Sequence, residues 1–253
     1  MATKQIVHMN PGQGETSYAR NSTIRKTAQD RMKPLIDEAV TALCGAFVHP
    51  KSIAIADLGC SSGPNALVLI SATVNAIHRY CKERVRTPPE MCVFLNDLPS
   101  NDFNTVAKSL AEFKHSLHHV SSRHVVVANM APEELAKRKI PINDFTLFLS
   151  LRAQELVIGG RLIFSLIGRC SSNPASVSTQ EWKVGVISKE KFDTFHIPIY
   201  APLKNEVNGI IEDEGSFQIN KAVAHDTFLA TDGDQLASPS WCIYCTYHLA
   251  RPN

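Results

Sequence analysis

Residues 52–65 read Ser52-Ile53-Ala54-Ile55-Ala56-Asp57-Leu58-Gly59-Cys60-Ser61-Ser62-Gly63-Pro64-Asn65. The segment opens with an apolar run that is too short for a helix and ends in an acid. A loop with two glycines four residues apart comes next. After it, Leu67, Ile70, Val74 and Ile77 recur at helical spacing. The segment therefore predicts a strand, a loop and a helix in that order.

This first strand-to-helix turn is a candidate ligand site. In an open parallel sheet, such a turn binds nucleotide-like ligands, because glycines let the backbone approach the ligand closely and the helix offers free N–H groups. The alternative is an ordinary α/β turn that binds nothing.

Composition restricts the class of partner. The chain has 253 residues, 44% of them hydrophobic, and its 26 Lys and Arg nearly balance 24 Asp and Glu, giving a net charge of +2. Such a balance gives no electrostatic reason to expect nucleic acid or an anionic membrane as partner. No apolar run reaches the roughly 18–20 residues of a membrane span, and no signal core follows Met1. We expect a cytoplasmic protein that acts on a small molecule.

The cysteines and histidines give little indication of a metal site. The seven cysteines are odd in number and lack a framework spacing, which favours reduced thiols over disulfides. The lone C-x-x-C at Cys242–Cys245 is interpreted as part of a strand, with zinc binding as the alternative. The four histidines between positions 115 and 124 are interpreted as a solvated linker, with a metal site as the alternative.

A second acid follows a second strand. Met91–Leu95 is apolar, and Asn96 and Asp97 come after it. Parallel strands that end in Asp57 and Asp97 place both carboxylates at the carboxyl edge of one sheet, where ligands bind. An ionised carboxylate only accepts hydrogen bonds, so Asp97 suits the two hydroxyls of a ribose. The alternative is a helix N-cap or turn acid.

The remaining pattern continues the alternation of strands and helices. A helix is predicted over Ile24–Ala46, with Leu35, Ala39, Leu43 and Ala46 on its buried stripe and Pro34 at a break or in the first turn. A later helix carries Phe145, Phe148, Leu149, Ala153 and Leu156 and ends at a double glycine. Further strands are predicted over His124–Met130, Arg161–Gly168, Gly215–Ile219 and Trp241–Leu249.

The loop does not favour either of two common nucleotide ligands, NAD and ATP. It has neither the G-x-G-x-x-G spacing of a dinucleotide site nor the G-K-[ST] end of a phosphate loop. The carboxylate of Asp57 repels phosphate but attracts a cationic amine. A ligand with adenosine at one end and an amino acid at the other is therefore favoured, and S-adenosylmethionine is such a ligand.

Several motifs resemble the plant SABATH family of carboxyl methyltransferases, most closely the salicylate and benzoate enzymes of grasses. They cover most of the chain and include the segments 8–10, 14–22, 56–65, 95–104 and 214–217. The resemblance implies a Rossmann-like S-adenosylmethionine-dependent methyltransferase sheet with helices on both faces. It also implies one domain over residues 1–253, with an arm over the ligand mouth (1–30), a cofactor-binding core (48–170) and a reduced cap with the last strands (171–253).

The resemblance also implies site residues. The cofactor would be bound by seven residues, Tyr18, Ser22, Asp57, Cys60, Asn65, Asp97 and Leu98. Arg25 stands where the family has a glutamine that holds the substrate carboxylate, so Arg25 is the candidate substrate-binding residue. No catalytic base is expected, because a carboxylate with a pKa near 4 is already ionised at pH 7.

Relative to the family, internal segments are missing. The chain runs from Met130 directly into Ala131, without a central strand and the acceptor-facing segment after it, and part of the helical cap is also missing. The resemblance implies a magnesium site at Asp193 and Phe195, although His196 replaces an asparagine there and another ligand falls in a missing piece. It further implies a homodimer. The competing interpretation is a truncated or spliced relative that keeps part of the cofactor site, is catalytically weak or inactive, and acts at most as a binding partner.

Overall fold

The fold is that of a computed structural model, which describes residues 14–15, 23–47, 50–62, 65–97, 101–116, 125–129, 142–168, 202–227 and 242–252. The backbone divides into two compact units, residues 1–138 and 139–253. The predicted 48–170 core therefore contains residues of both units, and the single domain over residues 1–253 stays a prediction.

A parallel three-stranded sheet organises the first unit. Strand β1 (Ser52–Leu58) pairs in parallel with β2 (Glu90–Asn96), and β2 pairs in parallel with β3 (Val125–Asn129). The sheet order is β1-β2-β3, so β1 lies at an edge of the described sheet. These strands confirm the alternating pattern predicted from the sequence.

Three helices accompany this sheet within the described residues: α1 (Thr23–Ala46), α2 (Val68–Glu83) and α3 (Phe103–Ser116). The predicted face of α2 is confirmed, because Ile70, Val74 and Ile77 are each at most 2% exposed. Helix α2 packs against α1, and an ion pair between Arg79 and Asp37 (2.5 Å) joins their exposed sides.

The prediction for α1 was wrong in two details. Leu43 is half-buried and Ala46 is exposed, whereas Val40 and Cys44 are buried. The buried stripe advances by 3.6 residues per turn, so Ala46 has already turned away from the face that Cys44 occupies. Pro34 neither breaks nor starts the helix, which begins at Thr23 and continues through it. Its side chain is exposed, where water can hydrate the carbonyl that lacks an N–H donor.

The second unit contains an antiparallel sheet of order β4-β6-β5, with strands β4 (Arg161–Gly168), β5 (Gln218–Thr227) and β6 (Cys242–Ala250). Helices α4 (Ile142–Glu155) and α5 (Lys204–Glu214) belong to the same unit. Strand β5 was predicted too short and too early, because Gly215 is the left-handed C-cap of α5 (φ +77°) and not a strand residue. The strand assignment of Cys242–Cys245 is confirmed.

The core of the second unit forms around Tyr247. Its ring, fully buried, stacks on Phe164 with centroids 5.1 Å apart, and its hydroxyl lies 3.2 Å from the carbonyl oxygen of Lys204 and from Oδ1 of Asn208. Burial raises the pKa of this hydroxyl. The predicted face of α4 is confirmed by Leu149 and Ala153, which are buried in the same cluster.

The resemblance implies that the missing central strand would lie between β1 and the strand that contains Leu162, which is β4; this position stays a prediction. Both β1 and β4 lie at the edge of their described sheets. Among the described residues, no helix has the length and apolar character needed to cross a membrane.

Val85 holds a conformation that suits glycine. It follows α2 with φ +51° and is 95% exposed, while Arg86 N donates to Cys81 O (2.8 Å). This is the hydrogen bonding of a Schellman cap, in which a β-branched residue at the left-handed position is strained.

We predict that Val85→Gly stabilises the protein by about 1 kcal/mol, because glycine adopts a positive φ without steric cost. Thermal unfolding should show a Tm about 2–4 °C higher. Val85→Ala is the matched control, because it removes the exposed side chain but keeps the strained Cβ. Equal Tm values for the two variants would show that backbone strain is not the cause.

Candidate cofactor-binding site

Two carboxylates meet at one edge of the first sheet. The parallel register pairs Asp57 with Leu95 and Leu58 with Asn96, and Asp97 follows at the end of β2. Both acids are half-buried. The structure thus brings Asp57 and Asp97 to the same carboxyl edge, as the sequence predicts.

The loop after β1 is fastened to the end of β2. Gly59 N and Cys60 N both donate to the carbonyl oxygen of Asn96, at 2.8 and 3.0 Å. Gly59 has φ +87°, which lets the chain turn across the end of β2 without a steric clash. The turn therefore keeps the loop at the strand ends.

Ser61 is the most constrained residue of this loop. Its φ is +60°, its N–H donates to Oδ2 of Asp97 (2.5 Å), and its carbonyl accepts a hydrogen bond from Nδ2 of Asn101 (3.1 Å). The residue is 4% exposed, and its buried hydroxyl has no hydrogen-bond partner among the described residues. A buried polar atom of this kind has a free-energy cost unless a ligand or water pairs with it.

Cys60 lies next to both acids and is 4% exposed. Burial raises the pKa of its thiol to about 12, and the negative charges of Asp57 and Asp97 add to that rise. The thiol donates to the carbonyl of Ser61 (3.4 Å). Cys60 is therefore a buried, neutral residue of the loop at pH 7 and does not act as a nucleophile.

The far end of the loop is tied to α1. Asn65 is 5% exposed, and its carbonyl accepts hydrogen bonds from Nε2 of Gln29 and from Val68 N, both at 3.2 Å. This carbonyl thus connects α1, the loop and the first turn of α2.

These residues fit a ligand with an adenosine part and a cationic amine. Within the part of the chain that the structure describes, a methyl group on Gly59 would meet no atom within 4 Å, so the backbone there leaves room for a ligand. The Ser61 hydroxyl offers an unused hydrogen-bonding group, and the carboxylates of Asp57 and Asp97 are suited to an ammonium and to hydroxyls.

Other predicted site residues lie outside the described residues: Tyr18, Ser22, Leu98, Asp193 and Phe195. Arg25 is in the first turn of α1, and its side chain is likewise not described. Among the residues that the structure does describe, no group of three or more His, Cys, Asp or Glu could hold a metal ion. Magnesium binding stays a prediction.

Sequence reasoning assigned no role to Gln29, Ser61 and Asn101. The positive φ of Ser61 has no signal in the residue type or in hydrophobic periodicity. Asn101, which follows shortly after a strand-end acid, is a residue type that often bonds to nearby backbone, and this was the available signal. Gln29 offered none, because its partner Asn65 is far along the chain.

Comparisons with known proteins find similarity over most of the chain. A family model described as SAM dependent carboxyl methyltransferase matches residues 4–138 and 139–240. The jasmonate O-methyltransferase of Arabidopsis thaliana is 34% identical over 87% of this chain and 77% of its own. The salicylate carboxymethyltransferase of Clarkia breweri is 34% identical over 92% and 81%, and anthranilate O-methyltransferase 3 of Zea mays is 30% identical over 93% and 82%.

A solved structure, loganic acid methyltransferase with SAH, superimposes with a TM-score of 0.64. It is 24% identical in sequence, and the match covers 86% of this chain and 78% of that one. The likeness confirms the predicted methyltransferase fold class.

One alignment also contains positions that this chain does not fill. The Arabidopsis alignment has 300 positions and includes 87% of the 253 residues, which is about 220, so about 80 positions hold no residue of this chain. One division of the family match, between residues 138 and 139, is also the division between the two units.

The raised pKa of Cys60 predicts a loss of stability at alkaline pH. The thiol of the unfolded chain ionises near pH 9, but that of the folded protein only near pH 12. Between these values the unfolded state binds fewer protons, so stability falls as pH rises, by up to about 1.4 kcal/mol per pH unit.

Unfolding in urea at pH 8, 9.5 and 10.5 should show a steeper loss for the wild type than for Cys60→Ala. Cys92→Ala serves as the control, because it removes a half-buried thiol of β2 that lies outside the loop. Parallel pH profiles of wild type and Cys60→Ala would contradict the assignment.

Proposed function

Because the chain belongs to the family of S-adenosylmethionine-dependent carboxyl methyltransferases, we propose that it methylates the carboxylate of a small aromatic acid such as salicylate or benzoate. The observation that carries this proposal is the pair of carboxylates at one sheet edge, with the loop of residues 59–65 fastened beside them. Relatives named for salicylate and anthranilate support an aromatic acceptor.

The chemistry asks for position rather than for a base. S-adenosylmethionine, when bound, supplies a methyl group that is already electrophilic. The acceptor carboxylate is ionised at pH 7, so no residue has to remove a proton. The contribution of the protein is to hold the acceptor oxygen in line with the methyl group and to exclude water.

The two acids have different roles in this proposal. Asp57 binds the ammonium of the methionine part, because an ionised carboxylate next to a cation forms a charge-assisted hydrogen bond. Asp97 accepts hydrogen bonds from the ribose hydroxyls, because its two oxygens only accept. The loop after β1 is bonded to the end of β2 and to Asp97, so it lies beside both groups.

Arg25 is the proposed contact for the acceptor carboxylate. A guanidinium can form a bidentate pair with a carboxylate, which a glutamine amide cannot. Such a pair also stabilises the ground-state anion, so tight binding here does not by itself increase the rate.

A second function has a specific observation in its favour. About 80 positions of the Arabidopsis alignment hold no residue of this chain. Strands β1 and β4, which are expected to flank the missing strand, lie at the edges of their described sheets. A chain of this kind can retain the cofactor loop but lack part of the acceptor pocket. It would then bind cofactor without turnover and act at most as a partner subunit. The cytoplasmic location and the homodimeric state of the protein stay predictions under either function.

Two measurements, made one after the other, separate these functions. Calorimetric titration with S-adenosylhomocysteine tests the cofactor site, and transfer of a labelled methyl group to salicylate, benzoate, jasmonate or anthranilate tests the acceptor site. Formation of methyl salicylate or methyl benzoate supports the first function. Binding of S-adenosylhomocysteine without formation of any methyl ester supports the second function. If S-adenosylhomocysteine does not bind, both functions are contradicted.

We predict that Asp57→Asn weakens S-adenosylmethionine binding about ten- to a hundredfold, because the variant loses a charge-assisted hydrogen bond of about 1.5–3 kcal/mol. The exposed Asp30→Asn is the matched control, since Asp30 pairs with Lys33 on the surface of α1. The affinity is measured by calorimetry. Equal affinities for the two variants would rule out the proposed role of Asp57.

We further predict that Arg25→Gln, which restores the glutamine of the family pattern, raises the KM for salicylate several-fold without lowering kcat. The reason is that the lost contact stabilises the ground state and the transition state to similar extents. Steady-state kinetics measure both constants, and cofactor affinity should not change. A fall in kcat at constant KM would contradict this role.

A further inference from the structure

The loop conformation at Ser61 needs an explanation. A positive φ is disfavoured for every residue type except glycine, yet Ser61 has φ +60° and is almost fully buried. Such a residue keeps its conformation only when its surroundings hold it there. Its backbone is held on both sides, with the N–H bonded to Asp97 and the carbonyl bonded to Asn101.

Asn101 is itself well anchored. Its carbonyl accepts a hydrogen bond from Phe103 N (3.0 Å), which ties it to the start of α3. The next residue, Asp102, caps that helix by accepting from Thr105 N (3.1 Å) and from the hydroxyl of Thr105 (2.6 Å). The amide of Asn101 is therefore a fixed donor that faces the loop.

The carboxylate of Asp97 has two hydrogen-bonding roles in this proposal. Oδ2 already accepts the N–H of Ser61 at 2.5 Å, and the proposed function asks the same side chain to accept ribose hydroxyls. If Asp97 alone held Ser61, engagement with a ligand would weaken the hold on the loop. A second tie at the Ser61 carbonyl removes this conflict.

We propose that Asn101 is a positioning residue for the cofactor loop, which holds Ser61 in its left-handed conformation through the carbonyl so that Asp97 can serve the ligand. The inference rests on the cofactor role proposed for Asp97. Without the Asn101 donor, Ser61 returns mostly to negative φ. Apparent affinity then falls in proportion to the fraction of molecules with a competent loop.

The test uses the full chain and calorimetric titration with S-adenosylhomocysteine. Asn101→Ala should bind about tenfold more weakly than the wild type, with a Tm that differs by only a few degrees. Asn104→Ala is the matched control, because it removes the same type of side chain from an exposed position of α3. Its affinity should equal that of the wild type. Asn101→Leu replaces alanine if the smaller residue impairs folding.

A rescue variant separates positioning from a general structural effect. Glycine accepts positive φ freely, so Asn101→Ala should weaken binding by less than about threefold when it is made in a Ser61→Gly protein. Ser61→Gly alone is the reference for this comparison, because it lacks the Ser61 hydroxyl that is offered to the ligand. A tenfold loss from Asn101→Ala in the Ser61→Gly protein, equal to its loss in the wild type, would overturn the proposal.

Hydrogen exchange in the ligand-free protein gives an independent result. The amide of Ser61 should exchange faster in Asn101→Ala than in Asn104→Ala, and equal rates would overturn the inference. If the wild type binds S-adenosylhomocysteine and Asn101→Ala binds it equally well, only this inference fails. If the wild type does not bind, the proposed function fails, and the exchange rates still decide whether Asn101 holds the loop.

Discussion

The carbonyl oxygen of Asn96 is the point on which the first unit depends. It accepts two backbone N–H groups from the turn after β1, and it is available there only because β1 and β2 pair in parallel and in register. A slip of one residue would reverse the faces of β1 and move both strand-end acids. The burial of Met91, Val93 and Leu95 on one face of β2 opposes such a slip, so core packing fixes the geometry of the polar loop.

Much of this arrangement could be predicted from the sequence, because it rests on periodicity. Strands β1 and β2, helix α2 and the shared edge of Asp57 and Asp97 follow from apolar runs that end in acids. Helix α5 was missed, because its charged residues outnumber Val207 and Ile211 on its short buried face. The local features that mark the ends of this helix are the hydrogen bond from Leu203 N to the Glu206 side chain and the left-handed conformation of Gly215. The contacts of Ser61 and Gln29 were also missed, since they join residues 36 apart in the chain.

Each unit buries its own set of apolar side chains. The first unit buries apolar residues of α1, α2 and β2, and the core of the second unit forms around Tyr247 between α4, α5 and the antiparallel sheet. Arg251 closes the second unit, because its N–H bonds to Gly160 O, its carbonyl accepts from Gly159 N, and its guanidinium bonds to Leu156 O. The hydrogen bonds described for the loop after β1 join residues of the first unit.

The order of strands in the second sheet has a consequence for synthesis on the ribosome. Strands β1, β2 and β3 pair in the order in which they emerge, so the first sheet can grow as the chain lengthens. In the second sheet, β4 and β5 both pair with β6, which emerges after them. The apolar side chains of Leu162, Phe164 and Leu166 therefore wait without their partner strand until residues 242–250 have left the exit tunnel. During that interval, β4 is an unpaired apolar strand, which is a segment prone to aggregate.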